Sequence, residues 1–151
     1  MDFITDLLQN QVFVSAALGW LVAQVLKTLI HLILTKQFVA ERMVGGGGMP
    51  SSHSATVCAL ATSTGIKYGG GSFEFAITAM LAIIVMYDAM GVRRETGKQG
   101  RVLNEMMEVF MNMGKQISVE ERLKEFVGHT PLQVLMGAIL GTLIAMAVMG
   151  V

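Results

Sequence analysis

Four apolar stretches divide the chain, and each carries a different pattern of polar interruptions. The first, residues 12–34, reads "VFVSAALGWLVAQVLKTLIHLIL". It is long enough to cross a hydrocarbon core of about 30 Å as a helix. Gln24, Lys27 and His31 interrupt it at offsets of three and then four, so they share one helical face. A polar stripe on such a helix faces protein or water rather than lipid. The second stretch, "SHSATVCALATSTGIKYGGG", is weakly apolar and dominated by Ser, Ala, Thr and Gly. It holds about 16 helical residues, short for a full span. Small residues favour close helix contact, which predicts a short helix surrounded by others.

The third stretch, "FEFAITAMLAIIVMYDAMGV", is strongly apolar up to Tyr87 and Asp88 and then breaks into "RRETGKQGR". In "VLNEMMEVFMNM", Val102, Leu103, Met106, Met107, Phe110 and Met111 form one stripe, with Asn104, Glu105, Glu108 and Asn112 opposite. That predicts an amphipathic helix on the membrane surface or packed over the protein. Ser118 and Glu121 have capping-box spacing, so a short helix is expected there, ending near Gly128. The fourth stretch, "TPLQVLMGAILGTLIAMAVMGV", opens with Thr130 as N-cap and Pro131 at the first helical position. Gly137, Gly141 and Ala145 recur every four residues and predict a helix–helix contact face.

Composition agrees with a membrane environment. The 151 residues are 53% hydrophobic and 15% charged, with a mean hydropathy of +0.60. Soluble domains carry about 25% charged residues. The expected architecture is an all-α integral membrane bundle of about four transmembrane helices plus an amphipathic interfacial helix, forming one domain over residues 1–151. The formal net charge is zero, which gives no reason to expect nucleic acid. The single cysteine, Cys58, excludes an intrachain disulfide and reads as packing. The acidic start, "MDFITDLLQN", lacks the positive region of a signal peptide, so the first apolar run is expected to be retained.

If all four runs cross, the loops at 35–51 and 93–129 share one side of the membrane. That side holds Lys36, Arg42, Arg93, Arg94, Lys98, Arg101, Lys115, Arg122 and Lys124; the other holds mainly Asp2, Asp6, Lys67 and Glu74. The positive-inside rule makes the basic side cytoplasmic, in a plasma or inner membrane. His53 and His129, distant in sequence, then meet at one interface, each at the start of a helix. Helix N-termini offer unpaired N–H groups and partial positive charge. Ser51 and Ser52 add hydroxyl donors, and Arg93 or Arg94 can grip phosphate oxygens bidentately. The run of glycines at 45–48 lets backbone approach a ligand. The plainer readings are that Ser51 and Ser52 cap a helix, Lys27 snorkels, His31 is a satisfied buried histidine, and Arg93 and Arg94 set topology.

"MPSSH", followed by a small-residue helix, and "GHTPLQVLMGAILG" resemble the second and third signature motifs of the type-2 phosphatidic acid phosphatase superfamily, which includes lipid phosphate phosphatases and vanadium haloperoxidases. "VMYDAMGVRRETGKQGRVLNEM" is similar to its divergent branch. The resemblance implies phosphotransfer without a metal or other cofactor. It casts His129 as the nucleophile and His53 as the general acid. Ser51, Ser52, Arg93, Arg94, Lys27, Lys36 and Arg42 become candidates to hold phosphate. The implied substrate is a lipid-linked or isoprenoid phosphate or pyrophosphate taken from the bilayer; a homo-oligomer is compatible with it. The chain departs from the pattern at several positions. Ser52 stands for the motif glycine, Gln133 for the orienting aspartate, and Leu123 for the arginine six residues before the nucleophile. The first motif, Lys, six residues, Arg-Pro, is missing. Asp88 is the candidate to replace the orienting acid. These departures leave two further readings: a non-catalytic module binding a phosphate headgroup or a partner, and a small transporter subunit with glycine-interrupted helices.

Overall fold

The computed structural model describes residues 2–36, 47–113, 123 and 128–151. Its elements are α1 (Phe3–Gln9), α2 (Gln11–Thr35), α3 (Ser52–Tyr68), α4 (Phe73–Met90), α5 (Val92–Asn112) and α6 (Pro131–Met149); among the described residues there is no strand. The all-helical expectation holds. Among the described residues, three units are long and apolar enough to cross a membrane: α2, the 40-residue stretch Phe73–Asn112 that joins α4 to α5, and α6. The fourth expected crossing, α3, has 17 residues. That is about 25 Å, short of a hydrocarbon core of about 30 Å.

The short helix is the centre of the bundle. α3 packs against α2, α4 and α6. Its residues Ala55, Ala59 and Ser63 fall on one face at intervals of four and are completely buried. Opposite them stand Gly19 and Ala23 of α2, and Gly137, Gly141 and Ala145 of α6. A Cβ added at Gly137 would overlap the Ser51 carbonyl, and one at Gly141 the Ala55 carbonyl. At Gly19 it would come within 2.9 Å of the same Ala55 oxygen from the other side. The predicted small-residue face of α6 is therefore a real contact, and α2 supplies its counterpart. Between helices in lipid, such close approach replaces the hydrophobic effect as the source of cohesion. The hydroxyls of α3 do not oppose this burial. Thr56, Ser63 and Thr64 donate to the carbonyls of Ser52, Ala59 and Leu60, each at 2.7 Å.

Large apolar side chains point outward instead: Trp20, Leu21, Ile83, Ile84 and Leu143 are exposed on the three long units. A core of Ala, Gly and Ser beneath a surface of Leu and Ile is the distribution expected with lipid as the solvent.

α4 and α5 meet at Gly91, whose N–H donates to the Tyr87 carbonyl while its carbonyl accepts from Glu95 N–H. α5 buries Gly97, Gly100 and Asn104. The Met-rich stripe is exposed, with Val102 and Met106 about half accessible. The expected partition is thus reversed at Asn104. Its amide is buried and brackets the Leu123 backbone, donating to the carbonyl at 2.9 Å and accepting from the N–H at 3.1 Å. The short helix expected from Ser118 lies outside the described residues.

Candidate functional site

Three chain segments meet at the start of α3. The first is the approach to α3 itself. Gly47 and Gly48 have φ values of 97° and 85°, a region that side chains other than glycine's rarely adopt. The Met49–Pro50 peptide is cis. Ser51 then caps the helix, its Oγ accepting from Ser54 N–H at 3.3 Å and from the Ser54 hydroxyl at 3.0 Å. Its own N–H donates to the Gln133 carbonyl at 3.0 Å, which ties the start of α3 to the start of α6. The second segment is Gly128–Thr130. His129 N–H donates to the Ala89 carbonyl at 2.9 Å, which anchors the loop to the end of α4. Gly128, at φ 89°, lies so close to the α5 start that a Cβ would overlap the Arg93–Arg94 backbone. The third is that α4–α5 junction, carrying Asp88 and Arg93.

These constraints bring the two histidines together across 76 residues of sequence, counted from 53 to 129. Their ring centroids are 5.6 Å apart with the planes at 67°. His129 is buried, His53 partly so. Nδ1 of His53 and Nε2 of His129 are both buried nitrogens with no hydrogen-bond partner. A buried polar atom without a partner is uncommon and asks for a ligand or water.

The other nitrogen of His129 explains why. Nδ1 lies 3.2 Å from Oε1 of Gln133. The same Oε1 accepts the Thr130 N–H at 3.0 Å, and the Thr130 hydroxyl accepts Gln133 N–H at 3.3 Å, which completes a capping box. A backbone N–H can only donate, so the Gln133 atom at this position is the oxygen. His129 must then carry its proton on Nδ1, leaving a lone pair on Nε2. An amide turned the other way would impose the opposite tautomer. The Thr-x-x-Gln spacing of a capping box was present in the sequence, and it is the signal that marks Gln133 as an orienting residue.

Burial pushes the His129 imidazole below the ordinary histidine value of 6.5. The Gln133 hydrogen bond opposes this, the neighbouring His53 and Lys27 reinforce it, and the Gly48 carbonyl opposes it. Desolvation disfavours the cation most, so the ring is held neutral at physiological pH.

Cationic side chains surround the pair unevenly. Lys27 is only 2% exposed, and its Nζ donates to Gln24 Oε1 at 2.6 Å. Its charge acts on both histidine rings. The predicted polar stripe of α2 thus turns inward at Gln24 and Lys27, while His31 is half-buried. Arg93 acts on His53, and its Nε pairs with Asp88 Oδ2 at 2.7 Å. Asp88 therefore engages the arginine, and Gln133 holds the position beside His129 that Asp88 was expected to take. Ser51 and Ser52 are buried at the helix start, where Ser51 acts as cap and Ser52 offers its carbonyl to Thr56. Arg94 is exposed beneath Gly128, and Lys36 is exposed as the C-cap of α2. Arg42 lies outside the described residues.

A family model described as the divergent PAP2 family matches residues 8–144. An uncharacterized membrane protein of Bacillus subtilis (strain 168), YuiD, is 36% identical over 150 residues, covering 93% of this chain and 95% of that protein. No solved structure matches.

Proposed function

Because the chain belongs to the divergent PAP2 family, we propose that this membrane protein is a multi-pass phosphohydrolase acting on a lipid-linked phosphate through a phosphohistidine. The observation that carries this reading is the pair of imidazoles in edge contact, ring centroids 5.6 Å apart, with one partnerless buried nitrogen on each. Contacts of about 3 Å on either side would let one phosphoryl group touch both rings.

In this reading His129 Nε2 attacks phosphorus with its lone pair. The bond from phosphorus to the lipid oxygen breaks, and His53 donates a proton to that oxygen as it leaves. Water then attacks the phosphohistidine and releases inorganic phosphate and the free imidazole. Neutral His129 is suited to the first step, since a protonated ring has no lone pair at Nε2. Lys27 and Arg93 balance the charge on the phosphoryl oxygens, and the first-turn N–H groups of α3 add donors. The cluster lies at the basic ends of the helices, so substrate would arrive from the cytoplasmic leaflet.

The test uses purified protein in vesicles containing a prenyl phosphate or diphosphate, with chelator present. Phosphate release that vanadate inhibits and His129→Ala abolishes is the expected result. Release unchanged in His129→Ala would sink the mechanism. A headgroup-binding role without turnover is favoured by one observation, the neutral amide of Gln133 where the family pattern has a carboxylate. Lipid-phosphate binding with no phosphate release and no trapped phosphohistidine would select it.

A further inference from the structure

Resting on the phosphatase reading, we infer that this site selects by leaving group: it cleaves phosphoanhydrides such as a lipid diphosphate and discriminates strongly against the monophosphate ester of the same lipid. One amide and one acid, Gln133 and Asp88, lie near the histidines. Gln133 Oε1 fixes the His129 tautomer but carries no charge. Asp88 carries a charge, but its Oδ2 is paired with Arg93 at 2.7 Å. No carboxylate among those described hydrogen-bonds either imidazole.

As Nε2 bonds to phosphorus, positive charge develops on the His129 ring. A carboxylate at Nδ1 would offset that charge; the amide keeps the orientation and leaves the charge uncompensated. His53 would have to store a proton for the leaving oxygen, and burial first, then the charges of Arg93 and Lys27, disfavour that proton more than the Asp88 carboxylate favours it. The transition state must then draw its stabilisation from the other end of the reaction. Phosphoryl transfer is loose, with the leaving-group bond largely broken, so the departing oxygen carries most of the charge change. An alkoxide leaving from a monoester needs that proton. A phosphate leaving from an anhydride does not: it takes the bond's electron pair and departs as a stable anion. For the diphosphate, attack by Nε2 breaks the bond between the bridging oxygen and the terminal phosphorus. Lipid monophosphate leaves, and water returns the ring to its starting state with release of inorganic phosphate. Lys27, buried and bonded to the neutral Gln24 amide, favours the additional negative charge of a diphosphate, whereas the charge of Arg93 is partly offset by Asp88.

The experiment measures kcat/KM for phosphate release from a prenyl diphosphate and from the prenyl monophosphate of equal chain length, on full-length protein in vesicles. The expected ratio is on the order of 100-fold in favour of the diphosphate, and Gln133→Glu should narrow it about tenfold by raising the monoester rate. Aryl phosphates with leaving groups of graded acidity give a second reading independent of that variant, and the rate should climb steeply with acidity. A wild-type ratio near one, or a flat aryl series, overturns the selectivity while leaving the phosphatase reading intact. No release from either prenyl substrate overturns both.

Discussion

The histidines stand at two helix starts that look alike in sequence and differ in chemistry. Ser51 and Thr130 are both good N-caps, each followed or preceded by a histidine. The start of α6 is the more closed, with the Leu132 N–H as the first-turn donor that no helical carbonyl can take. Thr130 and Gln133 satisfy one another, Pro131 has no N–H, and His129 N–H is committed to Ala89. Among the described residues, the start of α3 has its side-chain cap in Ser51 onto Ser54. Its next N–H groups, at Ser52 and His53, lie in the first turn, where no intrahelical acceptor exists. The closed end is suited to holding a neutral ring still, the open end to meeting an anion. On the proposed mechanism, a single constellation divides its labour between a rigid nucleophile holder and a receptive cradle.

That division can be broken at its strongest point first. His129→Ala should lower kcat by about 10⁴-fold or more, while lipid-phosphate binding persists because the open start of α3 remains. His53→Ala should cost about 10²–10⁴-fold in kcat. Its deficit should be smallest on substrates with acidic leaving groups, which need no proton. Equal losses for all leaving groups would remove His53 from the acid role.

Next comes the contact that joins the two starts. Gly141→Val places a side chain against the Ala55 carbonyl, and Gly137→Ala places one against that of Ser51. The valine should destabilise by about 1–3 kcal/mol or more, read as a lower unfolding temperature in detergent, and should part the histidines. Unchanged stability in Gly141→Val would mean that the α3–α6 contact is looser than described.

The caps sharpen the contrast. Ser51→Ala and Thr130→Ala should each lose about 1 kcal/mol of stability. Only Thr130→Ala should also loosen the Gln133 side chain and broaden the His129 imidazole nitrogen signals of labelled protein, while the tautomer, set through the Thr130 backbone N–H, stays. If both caps behave alike, the two starts are equivalent after all.

The smallest effect is on pH. His129 is held below the usual histidine value, so its nucleophilic form persists at neutral pH and is lost only as pH falls through that lowered value. The acid limb of kcat/KM should therefore lie below pH 6.5. Gln133→Leu removes a hydrogen bond that favours the cation, so the limb should move to still lower pH, with a reduced plateau. A limb above the ordinary histidine value would assign it to another group.

Much of this was legible in the amino-acid order because it rests on local chemistry. Long apolar runs marked α2, α4 and α6, and glycine spacing marked the face of α6. The meeting of His53 and His129 followed from alternating helix directions and two short motifs. What escaped depended on context. Asn104 was grouped with Glu105 and Glu108 opposite the apolar stripe; the two glutamates are exposed, but the Asn104 amide is drawn in because it brackets the Leu123 backbone. Asp88 and Arg93 are five residues apart, a separation that a regular helix does not bring together; the break at Gly91 does. Gln133 was read by its difference from aspartate, whereas the atom it shares with the Thr130 N–H decides what it does.

The polarity of α3 has a consequence for biosynthesis. A segment rich in serine and threonine partitions poorly into a bilayer without neighbours, so it must wait for the glycine grooves of its partners. One of those partners, α6, leaves the ribosome almost eighty residues after the start of α3, and the loop that delivers His129 arrives with it. The His53–His129 pair is consequently complete only once α6 has docked on α3, so maturation of the scaffold and assembly of the pair become a single event.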